Sequence, residues 1–441
     1  MSKITQQLII KFMVYFLSLI KIPSFMNKSI IITSLFVFLF FSCKSKENSS
    51  EEINKIFEKY HQENLKLYPL SATSQGDVRY NDFLPNNLSD DFRNKEKLYY
   101  GEYINYLNEF DDNVLSKEDL LSKKILLWEC DRNLERLSFN EHLTPINQMW
   151  TLQLDMGQNA GGLSAQPFKT INDYNNWLKR IDDYIIWLKG AKKRMKEGVE
   201  SNQVLPKSLI KKVIPQLETI LNTDLETNLF YSPARQFPSS FSVDEKTILS
   251  NKYANMVLNK IIPAYQDLYD FMINDYLDKG RDSSGIDALE NGINYYDYSI
   301  KLYTTTSMSS DEIHNLGLSE VTRISSEMEL IKNKVNFNGD LKSFFNYVRG
   351  LDELTPFENP DQVINNFNEI HKKMMPNINL LFGLQPNTRF EVRRTESFRE
   401  ASASAEYNPG SLDGTRPGIF YVPIPNIDEY NFFSDEDLFL H

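Results

Sequence analysis

Cysteine is almost missing: two residues in 441 cannot build a disulfide framework, so the fold must rest on its apolar core. Histidine is scarce as well, five in all, which leaves little material for an all-histidine metal site. Positive charge is in deficit, Lys+Arg 48 against Asp+Glu 60 for a net charge of −12, which argues against a nucleic-acid-binding face. Gly 17 and Pro 18 are too few for a collagen-like or low-complexity chain. Neither N-terminal apolar run, Leu8–Ile22 (interrupted by Lys11) or Ile30–Phe41, reaches the roughly 20 residues a membrane-spanning helix needs. No repeat recurs at a fixed period, which excludes a solenoid. What is present, 41% hydrophobic, 13% aromatic and 24% charged residues, fits an ordinary globular protein with a sizeable core.

The usual catalytic signatures are missing too. His61, His142, His314 and His371 each stand alone, without a histidine three or four residues on, so no helical zinc pair is present. There is no glycine-rich phosphate loop, no G-x-S-x-G elbow and no C-x-x-C pair. Glu51-Glu52 and Asp90-Asp91 read as solvated faces, and Cys130, on the apolar stretch Leu126–Cys130, as a buried free thiol. From the residues alone, no complete active site emerges.

Residues 1–43 hold four lysines and no acid, and without them the net charge falls from −12 to −16. Met26-Asn27-Lys28-Ser29 begins like a short positive n-region, followed by the apolar run to Phe41 and then Ser42-Cys43. A small residue before cysteine after such a run resembles the lipobox of bacterial lipoproteins. The resemblance implies cleavage before Cys43, lipidation of its new N-terminus, and residence in the cell envelope, facing the periplasm or the outside. Met26 then reads as the natural start, with 1–25 an over-extension. Residues 44–52, polar and rich in Ser and Glu, read as a tether.

Helical periodicity dominates from 53 to 385. Ile53, Ile56, Phe57 and Tyr60 form one stripe, and Tyr174, Trp177, Leu178, Ile181, Tyr184, Ile185 and Leu188 a longer one. Ser309 to Glu312 is a capping box opening a helix with Ile313, Leu316, Val321, Ile324, Met328 and Ile331 as its apolar positions. Pro263 is expected to kink or break the run from Tyr253 to Lys279. Residues 386–424 change character: Thr388–Arg393, Ser404–Tyr407 and Gly418–Val422 read as strands, the last two joined by a turn-rich loop. Residues 425–441 lead into a helix opened by Ser434 and Asp437 at capping-box spacing. The fold class is therefore mainly α, a large helical body followed by a small antiparallel sheet.

Four stretches in order resemble one bacterial family, domain of unknown function 885. They are Tyr68-Pro69-Leu70-Ser71-Ala72-Thr73 with Gly76-Asp77, Arg79-Tyr80 and Leu84-Pro85; Glu197-Gly198 with Leu205-Pro206; Glu312-Ile313-His314 through Leu316-Gly317-Leu318, Glu320-Val321 and Arg323-Ile324 to Glu327-Met328; and Tyr407, Asp413-Gly414, Arg416-Pro417-Gly418 with Phe420-Tyr421-Val422. Members resemble zinc metallopeptidases and are often exported lipoproteins. The resemblance implies an H-E-x-x-P-G-H-H helix after the last strand, of which this sequence holds only the first position, His441. The zincin-like architecture then reads as incomplete and the length as truncated at the metal motif. Zinc is expected of the complete family but not of this chain, because catalysis needs about three protein ligands and a general base. A peptide substrate is implied, with Arg416, Tyr421 and Tyr407 as candidate contacts. The competing reading has Arg416 and Tyr407 holding the loop and Tyr421 packing the sheet. His314, Glu320 and Arg323 read as a structural network. The alternative to an inactive peptidase relative is a membrane-anchored helical binding or scaffold protein.

Overall fold

The computed structural model describes residues 49–149, 151–161, 165–395, 400 and 403–441. The expected export segment with Cys43 lies outside them. Among the described residues no helix is long and apolar enough to cross a membrane. The protein is mainly helical with a small three-stranded sheet near its C-terminus. The stretch read as one helical body falls into two compact units: one holds 49–62 and 98–133, the other 63–97 and 134–441.

In the first unit, the helix that starts at residue 49 begins within the expected tether. Asp119 holds its first turns, accepting from the Ser50 hydroxyl at 2.5 Å and from Asn54 at 2.9 Å. Further on, Tyr60 stacks on Tyr99 at 5.2 Å and donates to Glu129 at 2.7 Å. Cys130 is a buried free thiol, pushed up to about 12 by burial, which removes it as a nucleophile.

The second unit is organised by the Ile171–Glu200 helix. Its N-terminus is fixed by a capping box of Thr170 and Asp173. The expected stripe is the core face: Tyr174, Trp177, Ile181 and Tyr184 are wholly buried. The two tyrosine hydroxyls are satisfied, Tyr174 by the Pro233 carbonyl at 3.1 Å and Tyr184 by the Tyr265 hydroxyl at 2.8 Å, whereas the buried Trp177 Nε1 has no hydrogen-bond partner. Pro263 is accommodated without a break. A π-helical stretch, Val257–Ile261, precedes the Ile262–Phe271 helix and places the proline in that helix's first turn, where its missing N–H costs nothing.

The strands β1 (Phe390–Arg394), β2 (Glu406–Asn408) and β3 (Gly418–Val422) form a sheet in the order β1-β3-β2. β2 pairs antiparallel with β3, but β1 pairs parallel with it, Val392 opposite Phe420, so the sheet is mixed rather than antiparallel throughout. The turn-rich loop accounts for the β2–β3 hairpin, whereas β1 joins the opposite edge of β3. As the central strand, β3 is buried at all five positions. One face packs on Val363 and Phe367 of the Pro360–Leu381 helix.

Candidate functional site

The residues singled out at the C-terminal end gather around the sheet and the loop 409–417. That loop is built on Asp413, which accepts from the Ser411 hydroxyl at 2.5 Å and from the Thr415 backbone at 3.0 Å. These donors, the Ser411 hydroxyl first, hold the Asp413 carboxyl below its ordinary range. Arg416 then reaches 342 residues back along the chain and donates to the Ser74 carbonyl at 2.8 Å. The Leu412 N–H donates to the neighbouring Gln75 carbonyl at 3.1 Å. Both carbonyls belong to the exposed C-terminal turn of the Pro69–Gln75 helix, where a cation and a donor are favoured. Gly76 closes that helix at φ +90°, and a Cβ there would stand 3.1 Å from Ser411 Cβ and 3.2 Å from Asp413 Oδ1. The first and last stretches of the family resemblance thus touch each other directly.

Tyr407 lies on the edge strand β2 and is 55% exposed. Its ring covers Gly418, whose Cβ position is 2.3 Å from the Tyr407 hydroxyl, so a side chain at the start of β3 would push the Tyr407 ring aside. Tyr421 is buried in β3 opposite Arg393 and helps, after Glu391, to hold that guanidinium protonated. Arg394 forms a bidentate pair with buried Glu400 at 2.7 and 2.8 Å. Glu400 also accepts from the Ile424 backbone, which fixes the chain just after β3.

The last helix, Asp435–Leu440, docks through Phe439, whose ring lies 5.3 Å from Phe420 and 5.9 Å from His371. The capping box expected of Ser434 and Asp437 does not form: Ser434 closes a 3₁₀ turn, Phe432–Ser434, and its side chain makes no cap bond. Asp435 is drawn inward instead. It is buried and accepts from Tyr430 at 2.9 Å and from Asn366 at 2.8 Å. Burial raises its carboxyl to about 6, against the opposing pull of the two hydrogen bonds. His441 is exposed at the end of this helix, its backbone N–H on the Asp437 carbonyl.

The other histidines are scattered. His314 is exposed, while His142 is half-buried with a buried, unpartnered Nδ1 and is pulled down to about 4, chiefly by burial and then by Arg93 and Arg194. Arg323 bridges Glu320 and Glu327 on its own helix at 2.7 and 2.8 Å. Among the described residues no three His, Cys, Asp or Glu are grouped to hold a metal ion. His441 alone does not fit the ligand set that zinc requires.

Sequence reasoning passed over Arg180, which is wholly buried in the second unit. It donates to the Phe83 carbonyl at 3.2 Å, Gln166 Oε1 at 2.6 Å, Thr73 Oγ1 at 3.0 Å and the Tyr80 carbonyl at 2.5 Å. The signal was available: position 180 is three residues after Trp177 and four before Tyr184, hence on the apolar face. Nearby, Arg194 joins the Leu88 carbonyl, Asp90 and Glu197, while Arg136 joins Glu96 and Glu141. Tyr68 donates to the same Glu96 at 2.7 Å. These groups bind segments of backbone together.

An α-helical body with a small mixed sheet on one of its helices is thus the class that the geometry defines. The chain belongs to the family described as bacterial protein of unknown function (DUF885), which it matches over residues 69–441. Among solved structures it is similar in fold to "the putative lipoprotein from Colwellia psychrerythraea", with a TM-score of 0.78 at 18% identity, covering 89% of this chain and 70% of that one. No curated protein matches it.

Proposed function

We propose that this chain is an exported, lipid-anchored envelope protein whose sheet and last helix form the framework of a zinc-peptidase-like site, and that the 441-residue chain does not itself hydrolyse peptides. The observation that carries the reading is the seating of the Asp435–Leu440 helix: Phe439 fixes it against Phe390 and Phe420, so the single family metal position, His441, stands at the margin of the sheet. An extended peptide would add to the outer edge of β2, where backbone hydrogen bonds give affinity and the exposed Tyr407 supplies a side-chain contact. Arg416 and Tyr421 act behind that edge, as anchors of the loop and of β3. The lipoprotein description of the Colwellia protein, which shares this fold, is consistent with an anchor at Cys43.

The test combines metal analysis with peptide hydrolysis on the purified chain, and mass spectrometry of its mature N-terminus. Substoichiometric zinc and no turnover are expected. One zinc per chain with turnover would overturn the inactivity, and an intact Met1 on the exported protein would overturn the anchor. A non-enzymatic binding protein is the second reading. It is favoured by an open apolar groove of about 870 Å³ lined by Met328, Ile331, Phe344, Val348 and Phe433. Peptide binding without turnover would support it.

A further inference from the structure

The helix Ser310–Lys334 has the sequence of a core helix and the surroundings of a surface one. Its capping box forms as expected, with Ser309 and Glu312 exchanging hydrogen bonds. Its apolar stripe, however, is uncovered: Val321 is 63% exposed, Ile324 39%, Met328 37%, Ile331 55% and Val335, just past its end, 57%. Soluble proteins rarely leave so continuous a face open without an interaction that covers it.

The spacing of these five residues identifies what fits. They fall alternately three and four apart, the spacing of a two-helix coiled-coil seam, with Leu316, Leu318 and Leu330 also exposed on the same helix. The seam is about 21 Å long at 1.5 Å rise per residue. It is also self-complementary. Laid antiparallel against itself about Met328, it sets Val321 opposite Val335 and Met328 against its own twin, with Ile324 and Ile331 one residue out of step with each other. The charges agree with that register. The flanking Glu320 falls beside Lys334 of the twin helix, twice in the symmetric pair. At the centre, where Glu327 meets its own twin, Arg323 of the same helix offsets part of the charge, since it pairs with both Glu327 at 2.8 Å and Glu320 at 2.7 Å. Lys332 is tied to Glu329 and to the Gly339 carbonyl, so it does not intrude. In the same register the twin's first turns, with Ile313 and Leu316, run past Val335 towards the apolar groove at Phe344 and Phe345.

We propose that this chain forms a homodimer in which the Ser310–Lys334 helix pairs antiparallel with the same helix of a second copy, Met328 on the two-fold axis. Such an interface is isologous, each copy giving and receiving the same contacts, and it closes at two.

Sedimentation of the full chain across the micromolar range, in detergent that keeps its apolar N-terminus dissolved, should show a reversible monomer–dimer equilibrium. Ile324→Glu with Ile331→Glu, both exposed and so compatible with an unchanged helical circular dichroism, should weaken it by at least about tenfold. Lys334→Glu alone should weaken it, and adding Glu320→Lys should restore it, because the swapped charges meet again only in antiparallel self-pairing. In a Cys43→Ser background, Met328→Cys should form an intermolecular disulfide and Leu330→Cys, off the seam, should not. A monomer at every concentration, growth beyond the dimer, indifference to the paired glutamates, or equal cross-linking through position 330 would each overturn the proposal.

Discussion

Replacing Arg180 by methionine sets two large terms against each other, and the structure says which wins. Burial, only partly offset by Asp82 and Asp183, lowers the guanidinium to about 10 from 12.5. At neutral pH that shift corresponds to roughly 3 kcal/mol of penalty for keeping the charge inside. Methionine, of similar length, would remove that penalty. Against this, four acceptors lose their donor: the Phe83 and Tyr80 carbonyls, Gln166 Oε1 and Thr73 Oγ1. Each buried acceptor left unpaired costs about 1–3 kcal/mol. Two of the four are backbone carbonyls that cannot turn away. The orphaned acceptors therefore prevail, and the net loss should be about 3 kcal/mol, consistent with the order observed when one member of a buried polar cluster is removed. Lysine, with three donors on one point, should fall between the two. Urea unfolding read by the fluorescence of Trp177 and Trp187 measures the loss, and limited proteolysis near 73–85 locates it, since this side chain binds that segment to the core at Thr73, Tyr80 and Phe83, beside the ties of Leu84 to Asp183 and of Asp82 to Lys179. A change below about 0.5 kcal/mol for Arg180→Met, with unaltered proteolysis, would refute the reasoning.

Two further outcomes follow from the C-terminal end. Because the folded Asp435 carboxyl is raised to about 6 from 3.8, the folded state binds the extra proton, so its stability should fall as pH rises from about 4 to about 6. The slope amounts to on the order of 3 kcal/mol in full and should vanish in Asp435→Asn, when urea midpoints are compared across that range. Glu400, held below its ordinary range by Arg394, acts in the opposite sense at lower pH: its contribution is lost as pH falls through the depressed value. Gly76→Ala should cost about 1–3 kcal/mol, since φ +90° is strained for any side chain and the new Cβ presses on Ser411. An unchanged melting temperature would show that the 409–417 loop yields freely.

The parts of the fold that could be read beforehand are those where one local rule meets no competitor. The Tyr174–Leu188 stripe is core because its spacing, its capped N-terminus and its aromatic content all agree. Ser309 caps its helix for the same reason. Ser434 has the same spacing to an acid yet does not cap, because burial of Asp435 against Tyr430 and Asn366 turns the backbone there. Alternation marked Thr388–Arg393 as a strand, observed at Phe390–Arg394, but could not tell its neighbour or direction, which depend on the path between strands. Most tellingly, periodicity marked the apolar face of Ser310–Lys334 without revealing that nothing in the described chain covers it. A pattern specifies a face, not its partner.

The candidate site was legible in a similarly selective way, and the selection has a physical cause. Arg416 carries the family resemblance and holds the end of the Pro69–Gln75 helix. Thr73 and Tyr80 carry it and surround Arg180. Tyr68 carries it and meets Glu96, and Glu197 carries it and meets Arg194. Each is a polar contact between segments far apart in the chain, where only a few side chains have the reach and the hydrogen-bonding groups to replace it. Requirements of that kind are as narrow as those of catalysis, so they leave motifs that look catalytic in sequence. A residue's membership in such a motif therefore says little about chemistry until its partners are known. Here the partners are mostly backbone carbonyls and buried carboxylates, which places these side chains in the architecture and sets apart Tyr407, exposed on the edge strand β2.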